Sequence, residues 1–201
     1  MSVSYTVLRR GFKGRGGIVD RVAFDERIGP VARNVEIKAR LSEAQFESVE
    51  GCAAAAADGP VRILEQEDTF YRVSHGRLKL RRFADGQAEL IAYERNDQQG
   101  PKLSSYVRHP CSDAETLHEA LARSVGVKAN VEKVRRLYLV GQTRVHLDRV
   151  KGLGPFLELE VVLHDGQSVE DGERIARELM ASFEVDSAAL VEQAYVDLLP
   201  S

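Results

Sequence analysis

Long apolar runs, paired cysteines and an excess of charge of either sign are all missing from this 201-residue chain. No stretch approaches the ~18 to 20 apolar residues that a membrane helix requires, and no charged start with an apolar h-region marks a secretory signal. Cys52 and Cys111 are too few and too far apart for a disulfide framework, and no Cys/His spacing resembles a zinc site. These absences predict a soluble protein of a reducing cytoplasm. Lys and Arg number 28 against 31 Asp and Glu, a net charge of −3, so the bulk charge gives no reason to expect nucleic acid or a membrane surface as partner. Any anion site must come from local clustering. No interface signature stands out, which leaves monomer and homodimer both open.

What is present suits one globular domain with a substantial core: 43% hydrophobic residues and 29% charged. Residues 1–33 hold Arg9, Arg10, Lys13, Arg15 and the glycines of GFKGRGG, with no acid before Asp20. With no sustained periodicity they read as a flexible N-terminal extension; GFKGRGG lacks the GK[ST] ending of a P-loop and no strand precedes it, so it is a weak phosphate motif. The folded domain is expected over 34–199.

Alternation and turn signals predict strands at 34–41, 61–73, 77–83, 87–95, 103–109, 129–140, 142–150 and 155–164. Four helices are expected. SEAQ at 42–45 and SDAE at 112–115 are capping-box patterns, opening helices that end near Ala57 and Gly126. Ser168 can cap a third helix to Phe183, and Leu190, Ala194 and Leu198 give a fourth over 187–198 the spacing of an apolar stripe. The total is an α+β fold dominated by one antiparallel sheet.

Six of the strands carry long charged side chains on one face. NVEIKAR presents Glu36, Lys38 and Arg40; GRLKLRR presents Arg77, Lys79 and Arg81; LIAYER presents Arg95. VEKVRRLYL adds Lys133 and Arg135, TRVHLDRV adds Arg144, His146 and Asp148, and PFLELEVV adds Glu158 and Glu160. One such face is ordinarily a wet surface. Six of them, with four amphipathic helices available to cover the apolar sides, imply a sheet curved into a barrel with its charges inward. Nine bases against four acids would repel one another in an enclosed space, and a polyanion relieves that repulsion. Lys and Arg spaced along strands can grip successive phosphoryl groups. The acids beside them suit a hard divalent cation, Mg²⁺ or Mn²⁺, with Glu158, Glu160, Glu36 and Asp148 as expected ligands.

EIK at 36–38, RLKLR at 77–81, SYVRH after GPK, and KVRRLYLVGQTRVHLDRVKGLGPFLELEV at 133–161 occur in that order. Together they resemble the CYTH superfamily, the triphosphate tunnel metalloenzymes, which includes CyaB-type class IV adenylyl cyclases and thiamine triphosphatase. The resemblance implies an eight-stranded antiparallel β-barrel with helices packed outside, a triphosphate substrate, and divalent metal held by glutamates. Glu36 and Lys38 match the second acid and the lysine of the superfamily's ExExK motif; Asn34 stands where its first acid would be, offering a carbonyl oxygen without charge. Glu36, Lys38 and Lys133 are the residues expected to carry chemistry. The cyclase-like branch looks nearest, which would convert ATP to cyclic AMP and pyrophosphate; hydrolysis of inorganic triphosphate, thiamine triphosphate or a nucleoside triphosphate, and non-catalytic nucleotide binding, are the alternatives.

Overall fold

The computed structural model describes residues 32–95 and 100–200. The extension expected at 1–33 lies outside the described residues except at its last two positions, as do residues 96–99 of the loop NDQQGPK. Among the described residues there are eight strands: β1 (Ala32–Arg40), β2 (Arg62–Tyr71), β3 (Arg77–Phe83), β4 (Ala88–Arg95), β5 (Lys102–Pro110), β6 (Val127–Val140), β7 (Thr143–Val150) and β8 (Gly154–Val162). They close into a barrel in the order β1-β5-β4-β3-β2-β6-β7-β8, with β8 pairing back onto β1 and every pair antiparallel. Closure leaves no strand edge unpaired.

Strand alternation decides which side chains meet water and which meet helices. Val35, Ile37 and Ala39 of β1, Val145 and Leu147 of β7, and Leu157, Leu159 and Val161 of β8 point outward and are almost fully buried. They pack under α1 (Glu43–Ala56), through Phe46, Val49 and Ala53, and under α3 (Val169–Ser182), through Ala176 and the partly buried Ile175 and Leu179. Burying each Val, Leu or Ile is worth about 1.5–3 kcal/mol, so the main core of this protein lies outside its barrel. Gly172 sets the approach of α3: a Cβ there would stand 2.7 Å from the side chains of both Val35 and Leu163.

The capping box of α1 forms as expected. Ser42 Oγ accepts from Gln45 N–H at 3.2 Å and Gln45 Oε1 accepts from Ser42 N–H at 2.9 Å. α2 (Ala114–Ser124) starts one residue later than its motif suggests, because Asp113 rather than Ser112 supplies the cap, accepting from Thr116 N–H at 3.0 Å. Its Leu117 and Leu121 cover Tyr71, Leu80 and Ala88.

The helix expected over 187–198 is not continuous. A 3-10 turn at Ser187–Ala189 leads into extended chain, and only Tyr195–Leu198 forms a helical turn, α4. The physical reason is capture of the backbone by the barrel: Val191 N–H donates to Lys38 O at 2.9 Å. The ammonium of Lys102 donates to the carbonyls of Val191 and Glu192, the former at 3.1 Å. A helix would have spent those carbonyls internally.

Candidate active site

The alternation that buries Val35, Ile37 and Ala39 outside sends Asn34, Glu36 and Lys38 into the barrel. The lumen encloses about 510 Å³, within the ~300–1,000 Å³ of small-molecule sites. Seven of the nine expected bases line it: Lys38, Lys79, Arg81, Arg95, Lys133, Arg135 and Arg144. Arg40 and Arg77 do not. Arg40 lies over the Phe156 ring and donates to Leu153 O at 2.6 Å, and Arg77 pairs with Asp197 at 3.0 Å.

One end of the lumen is plugged by the C-terminal segment. Tyr195 reaches inward against Phe156, with ring centroids 5.0 Å apart, and Lys38 Nζ sits 4.2 Å from the centre of its ring. Phe70, Val131, Val150 and Val196 complete an apolar cap there. At the opposite end the lining side chains Arg62, Asp85, Gln87 and Arg108 are exposed, which makes that end the mouth.

The basic side is organised by an acid that the charge pattern missed. Asp68, inward on β2 and 2% exposed, accepts two hydrogen bonds from Arg81 (Nε to Oδ1 at 2.7 Å, Nη2 to Oδ2 at 2.8 Å) and one from Lys79 at 2.9 Å. Burial alone would raise its pKa; Arg81, Lys79 and Lys133 overcome that and hold it well below the usual carboxylate range. Lys133, 3.7 Å from both Asp68 and Asp148, is drawn toward its neutral form instead. Burial and the neighbouring Arg135 lower it to about 7, with Asp148 and Asp68 opposing. The signal for Asp68 was in the sequence: Leu64, Gln66, Asp68 and Phe70 share one face of RILEQEDTFY, but their mixed character hides the acid among neutral neighbours.

Asp148 does not join the expected metal ligands. Arg135 grips both of its oxygens, Nε at 2.7 Å and Nη2 at 2.6 Å, and the Tyr195 hydroxyl donates to it at 3.0 Å. It is fully buried at the plugged end of the barrel and holds Arg135 and the plug in place. Burial would raise its pKa, but Arg135 and Lys133 bring it down to about 2.

The remaining acids meet on β1 and β8, where Glu36 lies opposite Glu160 and Lys38 opposite Glu158. Burial, reinforced by Glu158, raises Glu36 to about 7 despite Arg95 and Lys38, both of which pair with it. Glu158 stays ionised: burial is outweighed by Lys38 and Arg135, the latter donating at 2.8 Å. Glu160 accepts from Arg144 at 3.2 Å.

Do these groups fit a divalent cation? Donor atoms of His146, Glu158 and Glu160 lie within 4.8 Å of one another. His146 is neutral, since burial and then Arg135 lower its pKa to about 4. Asn34 Oδ1, buried two residues from Glu36 on the same face, accepts no hydrogen bond from the described residues. Two carboxylates beside a neutral imidazole, with an unspent amide carbonyl on the inward face of β1, suit Mn²⁺ or Mg²⁺, so the residues present fit the ion.

Comparison with known proteins agrees with this fold. The PH1012 protein of Pyrococcus horikoshii superposes with a TM-score of 0.73 at 23% identity, covering 83% of this chain and 99% of that one. A Vibrio parahaemolyticus protein proposed to be an adenylate cyclase gives 0.64 at 16%, covering 84% and 98%. The Hippeastrum protein HpAC1, a proposed adenylyl cyclase with a dominant triphosphatase activity, gives 0.57 at 14%, covering 80% and 91%. At these identities the likeness is one of fold. No curated protein matches the sequence. The CYTH domain pattern, however, matches residues 32–195, the whole barrel and its plug, and the chain belongs to the CYTH domain family.

Proposed function

We propose that this protein is a divalent-metal-dependent enzyme acting on a triphosphate, and that it cyclises ATP to cyclic AMP and pyrophosphate as class IV adenylyl cyclases do. One observation carries the reading: seven of the expected bases and three neighbouring glutamates share a lumen plugged at one end. Lys79, Arg81, Lys133 and Arg135 offer charge-assisted hydrogen bonds to successive phosphoryl groups, and a ligand's negative charge would keep Lys133 protonated at neutral pH. Glu158 and Glu160 would hold Mg²⁺ or Mn²⁺. When bound, such an ion polarises phosphoryl oxygens and lowers the cost of ionising the attacking hydroxyl.

In cyclisation the ribose 3′-oxygen bonds to the α-phosphorus, the bond from that phosphorus to the α,β-bridging oxygen breaks, and pyrophosphate leaves. The hydroxyl's proton needs an acceptor. Glu36, raised to about 7, is suited to that exchange at neutral pH. Lys38 and Lys133 stabilise the charge that gathers on the leaving pyrophosphate. Hydrolysis is the second reading, favoured by the same residue: a carboxylate that takes a proton from a ribose hydroxyl can take one from water, and the Hippeastrum neighbour is a triphosphatase foremost.

The test is to incubate purified protein with Mg²⁺ or Mn²⁺ and ATP, tripolyphosphate or thiamine triphosphate across pH 7 to 10, then separate cyclic AMP, pyrophosphate and phosphate. Cyclic AMP with pyrophosphate supports the first reading; phosphate release supports the second. No turnover of any of the three would overturn both.

A further inference from the structure

Arg77, one of the two expected bases that the lumen leaves out, lines a second cleft of about 220 Å³ behind the plug. Phe70, which lines both spaces, separates this cleft from the lumen. Val73 and Val196 add apolar walls, and Arg72, Arg77 and Lys128 supply charge. Three strand ends build it. The turn from β2 to β3 brings Arg72 and Arg77 together at the cleft, and Gly76 closes that turn at a φ of 59°, where a Cβ would meet Tyr93 O at 2.7 Å. On β6, Ala129 pairs with Phe70 and Val127 with Tyr71, which leaves Lys128 as the extra residue of a β-bulge. A bulge re-aims a side chain. Here it sends Lys128 to Asp197 of α4, which also accepts from Arg77 at 3.0 Å.

Three bases against one acid leave two positive charges at the cleft. Asp197 orients Arg77 and Lys128, while the exposed guanidinium of Arg72 has no hydrogen bond or ion pair among the described residues. Lys128 has three N–H donors and gives one to Asp197. A phosphoryl group matches the surplus, since it carries about −1.5 to −2 at neutral pH on three acceptor oxygens, and Arg meets such oxygens with a two-pronged fork. The cleft is smaller than the ~300–1,000 Å³ of most small-molecule sites, which suits one phosphoryl group with at most a small body against Phe70, Val73 and Val196.

We propose that this cleft is a second anion site, distinct from the lumen, which binds a phosphoryl dianion through Arg72, Arg77 and Lys128. Inorganic phosphate and a small phosphate monoester share that chemistry. A ligand there touches Val196, the neighbour of the plug residue Tyr195.

The test is a titration of isotope-labelled protein with inorganic phosphate and with phenyl phosphate, in chelator, followed by amide chemical shifts so that cleft and lumen are read separately. Wild type is compared with Arg72→Ser, with Lys128→Ser and with Arg123→Ser on the exposed side of α2, each checked for folding by its unfolding temperature. The amides of Arg72, Gly76, Arg77, Lys128 and Val196 should move along one saturable curve. Arg72→Ser and Lys128→Ser should each weaken that binding about ten-fold, and Arg123→Ser less than about two-fold.

Tighter binding of phenyl phosphate assigns the site to a monoester and equal binding assigns it to free phosphate; either supports a phosphoryl site. Shifts confined to lumen residues such as Lys79 and Arg81, or an equal loss in all three variants, would overturn the cleft site while leaving the triphosphate reading in place. Shifts at neither place would overturn the cleft site as well.

Discussion

Asp68 is the residue that organises the basic side of the lumen. With Arg81, Lys79 and Lys133 crowded around it, it takes the place that a polyanion's charge would otherwise fill. Removing one partner of a buried ionic cluster strands the others, at a cost of about 3–5 kcal/mol. Asp68→Asn should therefore lower stability by that order in urea titrations, and added tripolyphosphate should stabilise the variant more than the wild type, since the ligand restores the missing negative charge. Equal stabilisation of both would contradict this role.

Titration gives an independent check. Asp68 and Asp148 have folded pKa values below the ordinary 3.8, Asp148 at about 2. An acid depressed in the folded state contributes stability that is fully present above its unfolded pKa and is lost as pH falls through the folded one. Unfolding temperature should hold on this account down to about pH 4 and drop from there toward pH 2. A profile flat through that window would contradict the ionic role given to the two acids.

At the scale of elements, the C-terminal strap and the packing of α3 decide the shape of the site. Tyr195→Phe removes the hydroxyl that donates to Asp148 at 3.0 Å, a bond to a charged group worth about 1.5–3 kcal/mol; chemical denaturation should show a loss of that order, and amide exchange in α4 should quicken. Gly172→Ala gains helix propensity of about 1 kcal/mol but drives a methyl to 2.7 Å from Val35 and Leu163, so net destabilisation by about 1–2 kcal/mol is expected.

The same two elements mark the limit of what a sequence conveys. The stripe of Ile175 and Leu179 made α3 legible, because a helix that packs on a sheet announces itself by period. Leu190, Ala194 and Leu198 show the same period, yet the chain is not helical from Leu190 to Ala194 and makes only one helical turn, at Tyr195–Leu198. What unwinds it is the grip of Lys38 and Lys102 on its carbonyls, a contact across 89 residues in the case of Lys102 and Val191, which no local pattern records.

For the whole molecule, barrel and charged lumen were readable because a strand's two faces are separate lists: Val35, Ile37 and Ala39 in one, Asn34, Glu36 and Lys38 in the other. Alternation across six strands told inside from outside. It could not tell which inward side chains meet, and there the differences lie. Asp148 belongs to Arg135 and Tyr195 rather than to the donor cluster, and Arg40 and Arg77 stand outside the lumen at its plugged end. The plug makes the barrel a pocket with a deep end, a mouth and therefore a direction.

The central claim, that this pocket turns over a triphosphate through its carboxylates and a divalent ion, is tested most directly by Glu158→Gln. Its amide keeps the shape of the side chain but removes the charge. Metal-dependent loss of the triphosphate, followed by separation of products, should fall by more than about 100-fold, in a variant that stays folded at the assay temperature although its ion pair with Arg135 is lost. Turnover at the wild-type rate in a folded Glu158→Gln would contradict the account.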